Sequence, residues 1–167
     1  NREVEWAKNL AMINGQEQRV LLDNYKNFLA AAEANPNMKG KARGIFTGFA
    51  EYGSVLGLDS ERMKRSFTAL AQIAGKGQAM SEEVKGQLAE HFPDIVSAFA
   101  EAYGTDIAGL FKEMEKGNVK AEVLEKVGEI FSSRARKGGA LESARKTSLA
   151  EQNRFRNQLT NMQVDFM

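Results

Sequence analysis

The chain has 167 residues, 43% of them hydrophobic and 27% charged, with a formal net charge of +1. These values suit one soluble domain with a core, and they indicate no overall attraction to nucleic acid or membrane. The absence of cysteine excludes disulfides, thiolate catalysis and thiolate metal sites. The longest uncharged stretch has ten residues, whereas a membrane-spanning helix takes about 20 apolar residues. Because the chain begins with Asn1 in a charged run, we expect no signal peptide and a fragment or a processed product.

Apolar residues recur at helical spacing through most of the chain, and only two prolines are present, so we predict an all-α protein. Four helices are predicted first, at about residues 4–13, 18–34, 39–56 and 60–75. Turn and cap residues mark their ends: Asn14-Gly15, Pro36, Gly57, Asp59, Ser60 and Gly75-Lys76-Gly77. The side chains expected to face the core are Leu21, Leu22, Tyr25, Phe28, Leu29, Ala32, Ala42, Ile45, Phe46, Phe49, Ala50, Met63, Phe67, Leu70, Ala71 and Ala74.

Four further helices follow. Ser81 is the expected N-cap of the first, and Pro93 suits the first position of the second. Thr105 or Asp106 is the expected N-cap of the third, and the fourth is expected over about residues 119–136. The inward side chains of the last two are predicted to be Ile107, Leu110, Phe111, Met114, Val123, Leu124, Val127, Ile130 and Phe131.

A longer polar helix is predicted after Gly138-Gly139. We therefore expect a compact multi-helix domain of about seven to eight short helices over residues 1–137, followed by a helical extension over residues 138–167. The last apolar residues of the extension are spaced by four, three and four: Phe155, Leu159, Met162 and Phe166. This spacing is heptad-like but too short to establish a coiled coil, so the extension is a candidate for the start of a rod or coiled coil.

The stretch KGQAMSEEVKGQLAEHFPD, residues 76–94, holds the densest group of titratable side chains, including the only histidine. In a continuous helix, Glu83, Gln87 and Glu90 share one face and His91 lies beside it. A metal site would need more histidines or converging carboxylates, and no nucleophile motif accompanies His91. We interpret the group as first-turn carboxylates and a solvated helix face, and expect neither catalysis nor a cofactor.

Three glycines repeat every four residues at Gly40, Gly44 and Gly48. A glycine inside a helix costs about 1 kcal/mol relative to alanine, so a repeated set needs a structural reason. Small residues at this spacing allow two helix backbones to approach closely, and the neighbouring basic residues exclude a lipid setting. We predict a close helix–helix crossing on this face.

Residues 132–156 carry seven basic and two acidic side chains, a net charge of +5, so the rest of the chain carries −4. The basic residues are Arg134, Arg136, Lys137, Arg145, Lys146, Arg154 and Arg156. A solvated basic helix is the simplest interpretation, and contact with an acidic protein surface or with DNA phosphates is the functional one. Phe155 is the one aromatic residue near them, which argues against base stacking.

A series of motifs follows in order along the chain: Ala69-Leu70 with Gln72, Lys76-Gly77, Glu82-Glu83-Val84, Gln87-Leu88 with Glu90, and Pro93. Together with FKEMEKGNVKAEVLEKV further on, this arrangement resembles the tape measure domain of tail tape measure proteins from tailed phages and prophages. The resemblance covers about residues 3–131. Two positions depart from it: Asp94 follows Pro93 where the family often has glycine, and Ala74-Gly75 stands where serine is common. These departures concern local turns.

The resemblance implies a non-enzymatic structural protein of the phage tail, made in the host cytoplasm and placed in the lumen of the tail tube. It implies roles in tail assembly, tail length and DNA ejection. The partners it implies are tail tube and tail tip proteins, assembly chaperones, further copies of the chain, and DNA. Because glycine and proline interrupt the helices, we expect a folded module rather than the measuring rod. The alternative is a helical adaptor that binds a partner helix or nucleic acid through the basic segment; an enzyme ranks behind both.

Overall fold

The computed structural model describes residues 1–166, with the side chains of Ser148 and of residues 164–166 left out of the description. The described residues form ten α-helices and no β-strand, which confirms the predicted all-α fold. The helices are α1 (Arg2–Asn14), α2 (Gln18–Glu33), α3 (Ala42–Val55), α4 (Ser60–Lys76), α5 (Ser81–Val84), α6 (Ile95–Tyr103), α7 (Ile107–Glu115), α8 (Val123–Arg136), α9 (Ala140–Ala144) and α10 (Ser148–Phe166), with 3₁₀ turns at Leu88–Glu90 and Lys137–Gly139.

Local capping determines several helix ends. The side chain of Asp59 accepts a hydrogen bond from the backbone N–H of Arg62 at 2.9 Å. Asp106 does the same for Gly109 at 2.7 Å, so both residues are N-caps as predicted. At the other end of α4, Gly77 has φ 77°, a left-handed conformation that glycine adopts without strain.

Four predicted helix starts are wrong by two to four residues. Helix α1 begins two residues early, at Arg2, because the side chain of Asn1 accepts a hydrogen bond from the backbone N–H of Glu3. Helix α3 begins at Ala42 because Gly40 has φ 79°, outside the range of a right-handed helix. Helix α8 begins late because the backbone before it forms hydrogen bonds elsewhere: the N–H of Ala79 donates to the carbonyl of Val119 at 2.8 Å. Pro93 lies before Asp94, the N-cap of α6, and is therefore not its first residue.

The core forms mainly where α3 packs on α8, α2 on α4, and α6 on α8. Two groups of aromatic rings fill it. Phe46 stacks on Phe67 with 4.0 Å between ring centroids, and Phe49, Phe92 and Phe131 form a second group with centroids 5.0–5.3 Å apart. The residues predicted to face the core are buried or half-buried with one exception. Ile107 is 48% exposed because it is the first residue of α7, outside the face through which that helix packs.

The C-terminal segment lies against the first helices of the chain. Helix α9 packs on α3, and α10 contacts α1 and the turn before α2. Phe155, Leu159 and Met162 of the predicted heptad-like stripe are exposed, whereas the side chain of Phe166 and all of Met167 lie outside the described residues. Within residues 1–166, no helix is long and apolar enough to cross a membrane. The domain boundary at residue 138 stays a prediction.

Candidate functional site

A close helix crossing lies between α3 and α8. A Cβ atom added to Gly48 would lie 2.2 Å from the carbonyl oxygen of Gly128. A Cβ atom on Gly128 would lie 3.1 Å from Cα of Ile45 and 3.3 Å from the carbonyl oxygen of Gly44. The two helix backbones are therefore in direct contact, and this approach requires glycine at Gly48.

The three predicted packing glycines occupy different environments. Gly48 lies at the crossing, whereas a Cβ atom on Gly44 would meet nothing within 4 Å. Gly40 precedes α3 and also faces open space, so the three residues do not form one stripe on a helix. Gly128 is not among the predicted packing residues, although an isolated glycine inside a predicted helix is a signal for such a position.

The titratable stretch 76–94 is not a continuous helix with a solvated carboxylate face. Helix α5 ends at Val84, so Glu83, Gln87 and Glu90 are not aligned on one helix. The side chain of Glu83 is fully buried, and its carboxylate accepts a hydrogen bond from Lys76 Nζ at 3.2 Å. His91 is buried and lies 3.9 Å from Glu90. The segment differs from the prediction because turns fold it back onto α4. Glu83 is buried there, and a buried charge needs a partner.

Glu51 is the centre of a charged cluster that links α3 to the C-terminal segment. Glu51 is 2% exposed, and its carboxylate accepts hydrogen bonds from Nη1 and Nη2 of Arg136 at 2.7 and 2.6 Å. The hydroxyl of Ser132 donates to the same carboxylate, and Arg145 Nη2 lies 3.5 Å away. The hydrogen bonds with Glu51 raise the pKa of Arg136 above its ordinary value. Two of the predicted contact arginines therefore pair with a buried carboxylate of the same chain.

Asp94 is the centre of a second cluster. Its carboxylate accepts hydrogen bonds from Arg134 at 2.7 Å and from the Tyr52 hydroxyl at 2.8 Å. A second guanidinium nitrogen of Arg134 donates to Glu101 at 3.2 Å. Burial, followed by the hydrogen bond to Asp94, raises the pKa of Tyr52 to about 12. Arg134 thus joins α8 to α6.

The remaining basic residues divide into two groups. Arg154 donates to the carbonyls of Met12 and Ile13 at 3.0 and 3.2 Å. Arg156 pairs with Glu17 at 3.3 Å. Lys137 and Lys146 are exposed, and neither has an ion pair within 4.0 Å to another described side chain. The structure therefore places the seven predicted residues on α8, α10 and the turns between them, with the five arginines in intramolecular contacts.

The partners of these arginines were not visible in the sequence. Glu51 and Asp94 precede their arginines by 85 and 40 residues, and no local spacing indicates such pairs. A similar cluster at the other end of α3 joins Arg43 to Glu3 at 2.8 Å, and this contact lowers the pKa of Glu3. Among the side chains that the structure describes, no group of three or more histidine, aspartate or glutamate residues could hold a metal ion.

These contacts define an all-α packing module, in which the conspicuous charges and the glycine crossing join helices to one another. The chain belongs to the tape measure protein family, because the family model described as "Tape measure protein" matches residues 5–167. This family is one of phage tail structural proteins.

A similar curated protein is the probable tape measure protein of Salmonella phage Felix O1 (isolate Felix O1-VT1). It is 29% identical over 142 residues, which cover 84% of this chain and 19% of that relative. The chain thus spans about a fifth of the length of the curated relative it matches. No solved structure matches the chain.

Proposed function

We propose that the chain is a non-catalytic structural module of a tail tape measure protein, with a part in tail tube assembly, tail length determination and DNA ejection. Family membership over residues 5–167 is the observation that carries this proposal. The intramolecular pairing of Glu51, Glu83 and Asp94 supports a structural role for these carboxylates. In the assembled tail, the module lies in the tube lumen after synthesis in the host cytoplasm.

The module contributes to the protein as a folded unit and not as a measuring rod. Its longest described helix has 19 residues, which corresponds to about 29 Å. A continuous helix of 167 residues would extend about 250 Å, whereas a compact domain of this size is about 40 Å across. The turns and packed core of the chain favour the compact geometry.

The test changes the tape measure gene of a phage that encodes this segment. One variant carries a second copy of the module, and the matched control carries an insertion of 167 residues designed as a continuous helix. We expect tails lengthened by up to about 250 Å with the helix and by no more than about 40 Å with the module, measured by electron microscopy. Equal lengthening would contradict the folded-unit proposal, and no lengthening with the helix would contradict the role in length determination.

Self-association is part of this proposal, through the exposed stripe of Phe155, Leu159 and Met162 on α10. Phe155 is 63% exposed, and the spacing of four and three matches a coiled-coil seam. Replacing Leu159 by Glu should dissociate the oligomer in sedimentation equilibrium. Gln158→Glu adds the same charge beside the seam and should leave the oligomer intact. A monomeric wild-type chain would refute this part.

The other partners are tail tube proteins, tail tip proteins and assembly chaperones, which an α-helical surface can bind through its exposed faces. Contact with DNA is the second candidate function, and the exposed Lys137 and Lys146 are the observation that favours it. Binding of duplex DNA that weakens steeply with salt and is lost on changing both lysines to glutamate would support that role. Binding unaffected by these changes would refute it.

A further inference from the structure

Helix α10 contacts the rest of the protein through polar side chains. Asn153 and Asn157, one helical turn apart, are both buried. Asn153 Nδ2 donates to the carbonyl of Gly15 at 3.0 Å, and Asn157 Nδ2 donates to the carbonyl of Gln16 at 2.8 Å. One turn further, Asn161 Oδ1 accepts from Gln18 Nε2 at 2.7 Å.

Asn153 and Asn157 satisfy main-chain groups of the turn between α1 and α2. Helix α2 lacks a side-chain N-cap bond from Glu17. The backbone N–H of Gln18 instead donates to Asn157 Oδ1 at 2.9 Å, across a separation of 139 residues. The carbonyls of α1's last turn accept from Arg154. Side chains of α10 therefore cap the C-terminus of α1 and the N-terminus of α2 from a distant part of the same chain.

Apolar burial contributes little to this contact. Among the described side chains of α10, Ala150 is the one buried apolar residue, whereas Leu149, Phe155, Leu159 and Met162 are exposed. The core cluster of buried hydrophobic residues extends from Ala7 to Phe131 and includes no described residue of α10. The α10 side of the contact thus holds little apolar surface, and water can replace its hydrogen bonds to main-chain groups.

We propose that α10 is a detachable helix held by a polar latch, defined as Asn153, Arg154, Asn157 and Asn161. The helix docks on the α1–α2 turn and leaves it as a unit while the core of α1–α8 stays folded. The docked position is specific, because a Cβ atom on Gly15 would lie 2.3 Å from Cβ of Ala150. When the latch is released, α10 can point in different directions from the domain. This conformational property goes beyond the proposed structural role.

Amide hydrogen exchange followed by NMR tests the proposal at two neighbouring groups. The N–H of Gln18 donates to Asn157, so its exchange reports the docking of α10. The N–H of Leu21 donates to the carbonyl of Glu17 within the first turn of α2, so its exchange reports local helix opening. Amides in the middle of α3 and α8 report global unfolding. We expect Gln18 and α10 to exchange faster than the α3 and α8 amides, and with less dependence on denaturant.

The variant Asn153→Ala/Asn157→Ala removes the three hydrogen bonds between these side chains and main-chain groups while raising the helix propensity of α10. Because Gln18 loses its acceptor directly in this variant, the α10 amides provide the readout. We expect their protection to fall by about 10- to 100-fold, with Leu21 and the core little changed. Gln152→Ala, on the exposed face of the same helix, is the matched control and should leave the protection of the α10 amides unchanged.

A distance measurement provides an independent readout, because the chain has no cysteine of its own. Spin labels at Lys26→Cys and Gln158→Cys, both exposed sites, should show one narrow distance in the wild-type background when labelled chains are diluted with unlabelled ones. The double alanine variant should broaden it, with an unchanged near-ultraviolet spectrum of the core. The proposal is overturned if α10 and core amides exchange in one cooperative opening, or if the double variant unfolds the whole domain.

Discussion

The crossing of α3 and α8 leads to a prediction about two glycines of the same helix. Gly48→Ala places a Cβ atom 2.2 Å from the carbonyl oxygen and 2.7 Å from the carbonyl carbon of Gly128. Both neighbours are backbone atoms, so no flexible side chain can move aside, and the helices must separate. Gly44→Ala, one turn earlier, places its Cβ in open space.

The magnitudes follow from two opposing effects. Replacing glycine by alanine inside a helix stabilises it by up to about 1 kcal/mol. Overpacking typically costs about 1–3 kcal/mol, and rigid backbone neighbours place Gly48 at the upper end. We therefore expect Gly48→Ala to lower the free energy of unfolding by about 2 kcal/mol, and Gly44→Ala to raise it by up to about 1 kcal/mol.

Urea denaturation followed by circular dichroism at 222 nm measures the free energy of unfolding of both variants, and thermal denaturation measures Tm. The corresponding shifts in Tm are about 4–8 °C downward for Gly48→Ala and about 2–4 °C upward for Gly44→Ala. The opposite sign is the decisive result, since helix propensity affects both positions equally. If Gly48→Ala also stabilises the protein, the backbone contact with Gly128 does not constrain the crossing and the reasoning is refuted.

Three predictions concern carboxylates and the groups that bind them. Glu51→Gln should lower the free energy of unfolding by about 2 kcal/mol in urea, because Arg136 and Arg145 lose a charged acceptor; an unchanged midpoint would contradict this. Lys76→Ala should destabilise the protein by about 1–3 kcal/mol by leaving Glu83 buried and unpaired, and the further change Glu83→Gln should restore part of the loss; absence of any rescue in this double-mutant cycle would argue against the pair. Because the pKa of Tyr52 is raised, its neutral form stabilises the fold below pH 10, and this stabilisation is lost towards pH 12. The free energy of unfolding of Tyr52→Phe should therefore fall less steeply than that of the wild type between pH 10 and pH 12. Equal slopes would count against this prediction.

The sequence predicted helix faces well and charge partners poorly. Ile45, Phe46 and Phe49 were assigned to the core from their spacing, and all three are buried. The sequence predicts Asp59 or Ser60 and Thr105 or Asp106 as caps, because a cap and its helix are adjacent in the chain, and the structure selects Asp59 and Asp106. Glu83 was assigned to a solvated face and is fully buried, because its burial depends on how turns fold residues 76–94 onto α4.

The seven basic residues predicted to contact a partner show that local sequence also does not reveal which groups they bind. Seven basic residues close together in the sequence indicated a surface for DNA or protein, yet Arg134 and Arg136 bind acidic residues 40 and 85 positions away. The asparagines of the polar latch carried no recognisable signal, because Asn153 and Asn157 on a polar helix are also typical of solvated positions. Their partners became evident only when α10 was placed against the α1–α2 turn.

The sequence by itself determined the all-α class, most helix limits, the apolar faces and the family resemblance that the family model confirms. These properties depend on hydrogen bonds and side-chain periodicity within a few residues, which a linear pattern records directly. Only the tertiary structure decided that Gly48 meets Gly128, that Glu51 holds two arginines and that α10 caps the first two helices. Each of these contacts joins residues about 80 or more positions apart, where packing geometry and not local propensity decides which groups meet.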